Sequence, residues 1–154
     1  MRAKRTVTVL SSDIRPALPN ETIRFTHKNR KNMKPEYKPF VDALIELAIR
    51  EDIGDGDHTS LCCIPATEKG RMRLLCKQEG ILAGIEIAQL VLRRLDPEMQ
   101  FEQILRDGDR VKPGDVAFYV SGRLQSLLQA ERILLNIMQR MSGVATQTAV
   151  YADK

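Results

Sequence analysis

No stretch of this sequence stays apolar for the roughly 18 to 20 residues that a bilayer crossing needs, so a membrane partner is not expected. Tryptophan is absent, and cysteine occurs only at Cys62, Cys63 and Cys76. The adjacent Cys62 and Cys63 make a poor disulfide pair, and there is no CxxC or Cys/His cluster to suggest zinc. Small buried or half-buried thiols in a reducing cytosol fit this usage best. His27 carries no signal, and His58 reads as a loop residue more readily than as a ligand or base. No internal repeat is present. What the chain does have is 154 residues with 43% apolar side chains, enough for one ordinary domain, or a domain plus a stub, with a real core.

The net charge of +4 points at first to an anionic partner, but its location argues otherwise. Residues 1–32 hold eight basic groups (Arg2, Lys4, Arg5, Arg15, Arg24, Lys28, Arg30, Lys31) against Asp13 and Glu21, a net +6. Of the 24 basic and 20 acidic side chains, 16 and 18 then remain for the rest of the chain, a net −2. The basic character belongs to the leader, and nucleic-acid binding is not inferred from it.

Residues 1–32 show no sustained periodicity, and Pro16 and Pro19 break what there is. Val7–Leu10 is too short for the core of a signal peptide, and no small-residue cleavage site follows it. An Arg-rich mitochondrial presequence fits loosely but lacks helical amphipathicity. The expectation is a disordered extension over 1–32, with Met33 a candidate start. Next comes a domain over 33–123, then a helical segment over 124–154.

Within the domain, Phe40, Val41, Leu44, Ile45, Leu47 and Ala48 recur at helical spacing and predict a helix over 36–51. It stops at EDIGDGDHTS (51–60), where Gly54 and Gly56 break it. Glu51 and Asp52 oppose the dipole at that helix end, so something other than helix stability is expected to place them. Asp52, Asp55 and Asp57 do not have EF-hand spacing, and Asx-turn and capping roles for Asp55, Asp57, Thr59 and Ser60 are preferred over metal binding. GRMRLLCKQEGILAG (70–84) reads as a strand, a turn and a short strand, and 85–95 as an apolar helix ended by Asp96-Pro97. Phe101–Leu105 and Val116–Val120 read as strands joined through Asp107-Gly108 and the Lys112-Pro113-Gly114-Asp115 turn. The fold class is α+β, a small antiparallel sheet with helices over it.

The last segment stands out. AERILLNIMQRMSGVAT (130–146) belongs to a long amphipathic helix expected to end in a Ser-Gly turn. Gln125, Gln129, Arg132, Asn136 and Gln139 fall in one stripe roughly 80° wide, while Leu124, Leu127, Leu134, Ile137, Met138 and Met141 cover the rest. A face meant only for water usually carries Lys and Glu. Four amides around one arginine better suit a wall that a polar ligand touches. Glu131, on the apolar side of the wheel, is expected to meet a buried cation such as Arg140.

Three segments in this order, EDIGDGDHTS (51–60), DGDRVKPGD (107–115) and ERILLNIMQRMSGVATQT (131–148), resemble quinolinate phosphoribosyltransferase, the carboxylating nicotinate-nucleotide pyrophosphorylase. The match runs from about residue 35 to the last residue, and its most specific part is E-R-x-x-L-N followed by S-G-[IV]-A-T. The resemblance implies an N-terminal α+β sandwich, a connecting helix and then an open α/β barrel. It implies a cytoplasmic homodimer that turns quinolinate and phosphoribosyl pyrophosphate into nicotinate mononucleotide, pyrophosphate and carbon dioxide with Mg²⁺. By its place in ERILLN, Arg132 looks like the arginine that reaches across the dimer to a quinolinate carboxylate, with Asn136, Gln139 and Ser142 as candidate helpers or as helix-packing and turn residues.

The family's barrel would supply the remaining arginines, lysines, the histidine and the metal-holding acids, and none of that follows Tyr151–Lys154. The sequence therefore reads as a truncated product, inactive alone, binding no cofactor itself and leaving the apolar stripe Leu127 to Met141 uncovered. A paralogous phosphoribosyltransferase acting on another base is a related reading. A non-enzymatic rival is an α+β dimerisation domain, or a carrier-like (hammerhead) domain, since DGDRVKPGD also occurs in biotinyl and lipoyl carriers. Those display a lysine at a hairpin tip. Here Lys112 precedes Pro113 inside the turn and Lys77 is expected within a strand, so neither fits.

Overall fold

The computed structural model describes residues 10–16, 33–54 and 64–152. Strand β1 is Leu10–Pro16. A 3₁₀ turn, Pro35–Tyr37, leads into helix α1, Lys38–Ile53. Strands β2 (Lys69–Cys76) and β3 (Gly80–Ile81) precede helix α2, Ile85–Leu95. Strands β4 (Gln100–Gln103), β5 (Arg110–Val111) and β6 (Val116–Arg123) lead into helix α3, Leu124–Ala152. The main sheet has the order β1-β2-β6-β4, antiparallel throughout, and β3 pairs with β5 in a separate ribbon.

The alternation along β2 sorts the two faces of the sheet, as a two-residue period requires. Met72, Leu74 and Cys76 point inward and are buried, in register with Phe118 and Val120 of β6. Helices α2 and α3 close this face with Ala88, Val91, Leu92, Leu127, Ala130, Ile133, Leu134 and Met138. On the outer face Arg71 lies 4.2 Å over the Tyr119 ring and donates to Glu102 at 3.3 Å. Gly84 sits at the start of α2 with φ +105°, and a β-carbon there would meet Met141 Sδ at 3.1 Å and Met138 Cγ at 3.3 Å. Glycine is what lets α2 begin directly against α3. With no side chain at Gly84 to cap α2, Asp107 does so from a distance: its Oδ1 accepts from Ile85 N at 2.9 Å.

Several expectations need correcting. Leu10–Pro16, placed in a disordered extension, is a strand in full antiparallel register with β2. Its own pattern is too polar to announce it. What holds it is cross-strand chemistry, with Asp13 Oδ2 accepting from Arg73 Nη2 at 2.7 Å and from Arg15 Nη2 at 2.8 Å. The short strand after β2 pairs with β5 and not with β2, and Lys77 lies one residue past the end of β2. The expected strand to Leu105 ends at Gln103, because Ile104 N and Leu105 N both donate to the one acceptor Ala117 O at 3.0 Å.

Both expected turns are present and share one construction. Asp109 Oδ2 accepts from Arg106 N at 2.7 Å and Asp115 Oδ2 from Lys112 N at 2.9 Å, each with a glycine at positive φ just before the aspartate. Ser142-Gly143 is no turn: α3 runs through it to Ala152, because packing against the β3 ribbon holds this segment helical. Most of the stripe expected to lie bare is covered, since Leu127, Leu134 and Met138 are fully buried against the sheet and α2, while Met141 at its end is exposed. Uncovered apolar surface lies on the last turns of α3, at Val144, Val150 and Tyr151, and on α1. Phe40 (74%), Leu44 and Leu47 point outward, and Ile45 with the half-buried Val41 and Ala48 faces the core. Asp55, Asp57, His58, Thr59, Ser60, Cys62 and Cys63 lie outside the described residues.

Candidate functional site

Helix α3 is long enough to serve two surfaces at once. Its inner side builds the core, and its outer stripe carries the amides and Arg132. The last turn of α1 comes up beside that stripe. Ile45 anchors α1 in the core, Glu46 pairs with Arg94 of α2, and just before the helix Met33 N donates to both Glu86 oxygens at 3.0 and 2.9 Å. This attachment carries Asp52 to Arg132, with Asp52 Oδ1 lying 3.5 Å from the guanidinium Nε. The side chain of Arg132 is 82% exposed and that of Asp52 only 22%. The acid that opposes the dipole of α1 therefore has a partner in a different helix. Its position at a helix C-terminus was the only sequence signal that such a partner existed.

The remaining stripe residues separate by partner. Gln125 Nε2 donates to Ile64 O at 2.7 Å and so ties α3 to the segment before β2. Asn136 Oδ1 accepts from Arg140 Nε at 3.1 Å, one turn along the same helix. Gln129 and Gln139 are half-buried on the flanks of the stripe. Ser142 is fully buried, its hydroxyl accepting from Ala83 N at 3.0 Å and donating to Ala83 O at 3.2 Å. Thr146, one turn on, accepts from Ile81 N at 2.8 Å and donates to Ser142 O at 2.7 Å. These two hydroxyls satisfy a strand edge and do not face Arg132. Glu131 meets the hydroxyl of Ser12 on β1, not the expected arginine, because Arg140 lies with Asn136 on the other side of the helix.

A divalent cation needs several oxygen donors converging on one point. Among the described residues no group of three or more His, Cys, Asp or Glu side chains is placed to hold a metal ion. The Mg²⁺ that the resemblance implies thus has no donor set among them. Neither candidate lysine of the carrier reading, Lys112 or Lys77, is displayed at a hairpin tip. Pro113 and Gly114 form the tip of their turn, and Lys112 at its first position lines a cleft of about 610 Å³ between the β3–β5 ribbon and the end of α3. Lys77 connects strands of two different sheets, so it is not at a hairpin tip either.

An antiparallel sheet backed by two helices, with a third helix beside the longer one, is an α+β sandwich domain. The chain belongs to the family of the quinolinate phosphoribosyl transferase N-terminal domain, whose model matches residues 57–142. It is 41% identical over 124 residues to quinolinate phosphoribosyltransferase (decarboxylating) 1 of Nicotiana glauca, covering 79% of this chain and 35% of that protein. It is equally similar to the chloroplastic nicotinate-nucleotide pyrophosphorylase (carboxylating) of Arabidopsis thaliana, covering 79% of this chain and 36% of that one. Among solved structures, NadC from Streptococcus pyogenes superposes with a TM-score of 0.74 at 31% identity, over 80% of this chain and 43% of that one. The chain thus spans about a third of the length of these curated relatives.

Proposed function

We propose that this chain is the N-terminal part of an enzyme that transfers a phosphoribosyl group from phosphoribosyl pyrophosphate to quinolinate, giving nicotinate mononucleotide, pyrophosphate and carbon dioxide for NAD synthesis. The observation that carries the reading is Arg132, an exposed guanidinium with its Nε 3.5 Å from Asp52, on the outer stripe of α3 in a domain of this family. Quinolinate is a dianion, and a planar guanidinium can grip a carboxylate at two points where an ammonium cannot. A grip of that kind fixes the pyridine ring, so that its nitrogen faces the ribose C1 from which pyrophosphate departs. Arg132 acts across a homodimer, on quinolinate bound in the barrel of the partner subunit. Mg²⁺ accompanies phosphoribosyl pyrophosphate in the complete enzyme and is held outside the residues described here. A cytoplasmic location suits the free, buried Cys76.

The test is Arg132→Ala in the full-length enzyme that carries this domain, with KM for quinolinate and for phosphoribosyl pyrophosphate measured separately. A sharp rise in the first alone is expected, and unchanged kinetics would return Arg132 to the status of a surface residue. The 154-residue chain by itself should form no nicotinate mononucleotide. A second reading, a non-catalytic dimerisation module, draws on the apolar surface of Phe40 and Leu44 on α1 and of Val144 and Tyr151 near the end of α3. A stable dimer in a chain with no further domain would favour it.

A further inference from the structure

Asp52 lies in the last turn of α1, where the helix dipole disfavours an acid, and Arg50 two residues earlier is the cation that suits that end. Its contact with Arg132 is open to water on the arginine side, and pairs so exposed add little to stability. Folding alone therefore does not account for an acid at this position. The place of contact on the guanidinium offers a better account. A guanidinium has two edges that can take a carboxylate at two points, one formed by Nε with a terminal nitrogen and the other by the two terminal nitrogens. Asp52 stands on the Nε side at 3.5 Å, which leaves the terminal edge for a second carboxylate. It is also the less exposed partner, at 22% against 82%, on a helix that Ile45 anchors in the core. An arginine side chain loses much rotamer freedom when it is fixed, and fixing it before the ligand arrives removes that loss from the binding step.

We infer that Asp52 is a positioning residue for Arg132, holding the Nε side of the guanidinium so that the terminal edge is presented to the carboxylate of the pyridine substrate. The inference rests on the proposed role of Arg132 as a quinolinate ligand. Its test is a double-mutant cycle in the full-length enzyme that carries this domain. Asp52→Asn keeps the shape and removes the charge, and is expected to raise KM for quinolinate about fivefold with kcat and KM for phosphoribosyl pyrophosphate unchanged. Asp52→Glu should restore KM to within about twofold, since the carboxylate is retained. In an Arg132→Ala background, Asp52→Asn should add nothing.

If Arg132→Ala itself leaves KM unchanged, the proposed function fails and this inference falls with it. If Arg132→Ala raises KM and Asp52→Asn does not, the inference alone is overturned. The same holds if the two effects are additive, or if Asp52→Asn lowers Tm and degrades all kinetic constants together, which would mark Asp52 as structural.

Discussion

Asp96 and Arg123 join the end of α2 to the junction of β6 and α3 through a carboxylate that is 1% exposed. Asp96 Oδ2 accepts from Arg123 Nε at 2.8 Å, and Oδ1 accepts from Glu98 N at 3.1 Å. The hydrogen bond from Arg123 is the main cause that holds the Asp96 carboxyl below its usual range; burial pushes the other way, and bonds from the Glu98 backbone and the Ser126 hydroxyl assist Arg123. A carboxylate whose pKa is lower in the folded state adds stability that is present above the ordinary carboxylate range. That stability is lost as pH falls through the depressed native value. Asp96→Asn should therefore cost about 1–3 kcal/mol at neutral pH. It should also flatten the loss of stability below about pH 4. Urea titrations of both forms between pH 7 and pH 2 check this, and parallel curves would remove Asp96 from the account.

Ser142 makes a complementary case, since it was a candidate substrate helper and is placed instead between α3 and Ala83. Ser142→Ala leaves the Ala83 amide and carbonyl without the hydroxyl that now serves both. A loss of about 1–3 kcal/mol is expected from such a buried deletion. In the full-length enzyme KM for quinolinate should stay unchanged. A KM rise without destabilisation would make Ser142 a ligand after all.

Legibility in the sequence followed the range of the interactions. The helices at 38–53 and 85–95 and the turns at 106–109 and 112–115 are written in local spacing, glycine and aspartate, and they came through with nearly the expected bounds. Arg132 was singled out by its place in ERILLN, the amides around it being only a hint, and its neighbour Asp52 could not be read from either. The misreadings all involve partners far apart in the chain. Nothing near Ser142-Gly143 reveals that Ala83 will supply a backbone partner and hold the helix through a glycine. Nothing near Leu10 reveals that Arg73 and Glu131 wait for Asp13 and Ser12. The outward turn of Phe40, Leu44 and Leu47 is equally hidden, because a helical stripe broad enough to have two sides does not say which side meets the core.

Strand β1 should be the first element released by acid. It lies at the sheet edge, and the guanidiniums of Arg15 and Arg73 hold the Asp13 carboxyl below its usual range. Its attachment is therefore full above the ordinary carboxylate range and is given up as pH falls through the lowered value. Asp13→Ala should mimic this at neutral pH, raising amide exchange across residues 11–14 and at the β2 amides that face β1, while β6 and the β2 amides that face it stay protected. Hydrogen exchange read residue by residue decides the matter, and equal exchange in both forms would mean that backbone pairing alone secures the strand.

Cys76 should be chemically silent while the domain is folded. Burial, with a smaller contribution from the negative charge of Asp115, pushes its thiol up to about 11. At pH 8 almost none of it is thiolate, and the side chain is fully inside the sheet–helix core, so iodoacetamide has neither nucleophile nor access. The preference of the native state for the neutral thiol stabilises it fully below the ordinary thiol range and is lost as pH climbs from there towards 11. Alkylation mapped by mass spectrometry should therefore leave Cys76 unmodified at pH 8 and label it once urea unfolds the chain. Labelling of Cys76 in the native protein at a rate near that of a free thiol would show that the layer formed by β2, β6 and α3 opens far more readily than its packing implies.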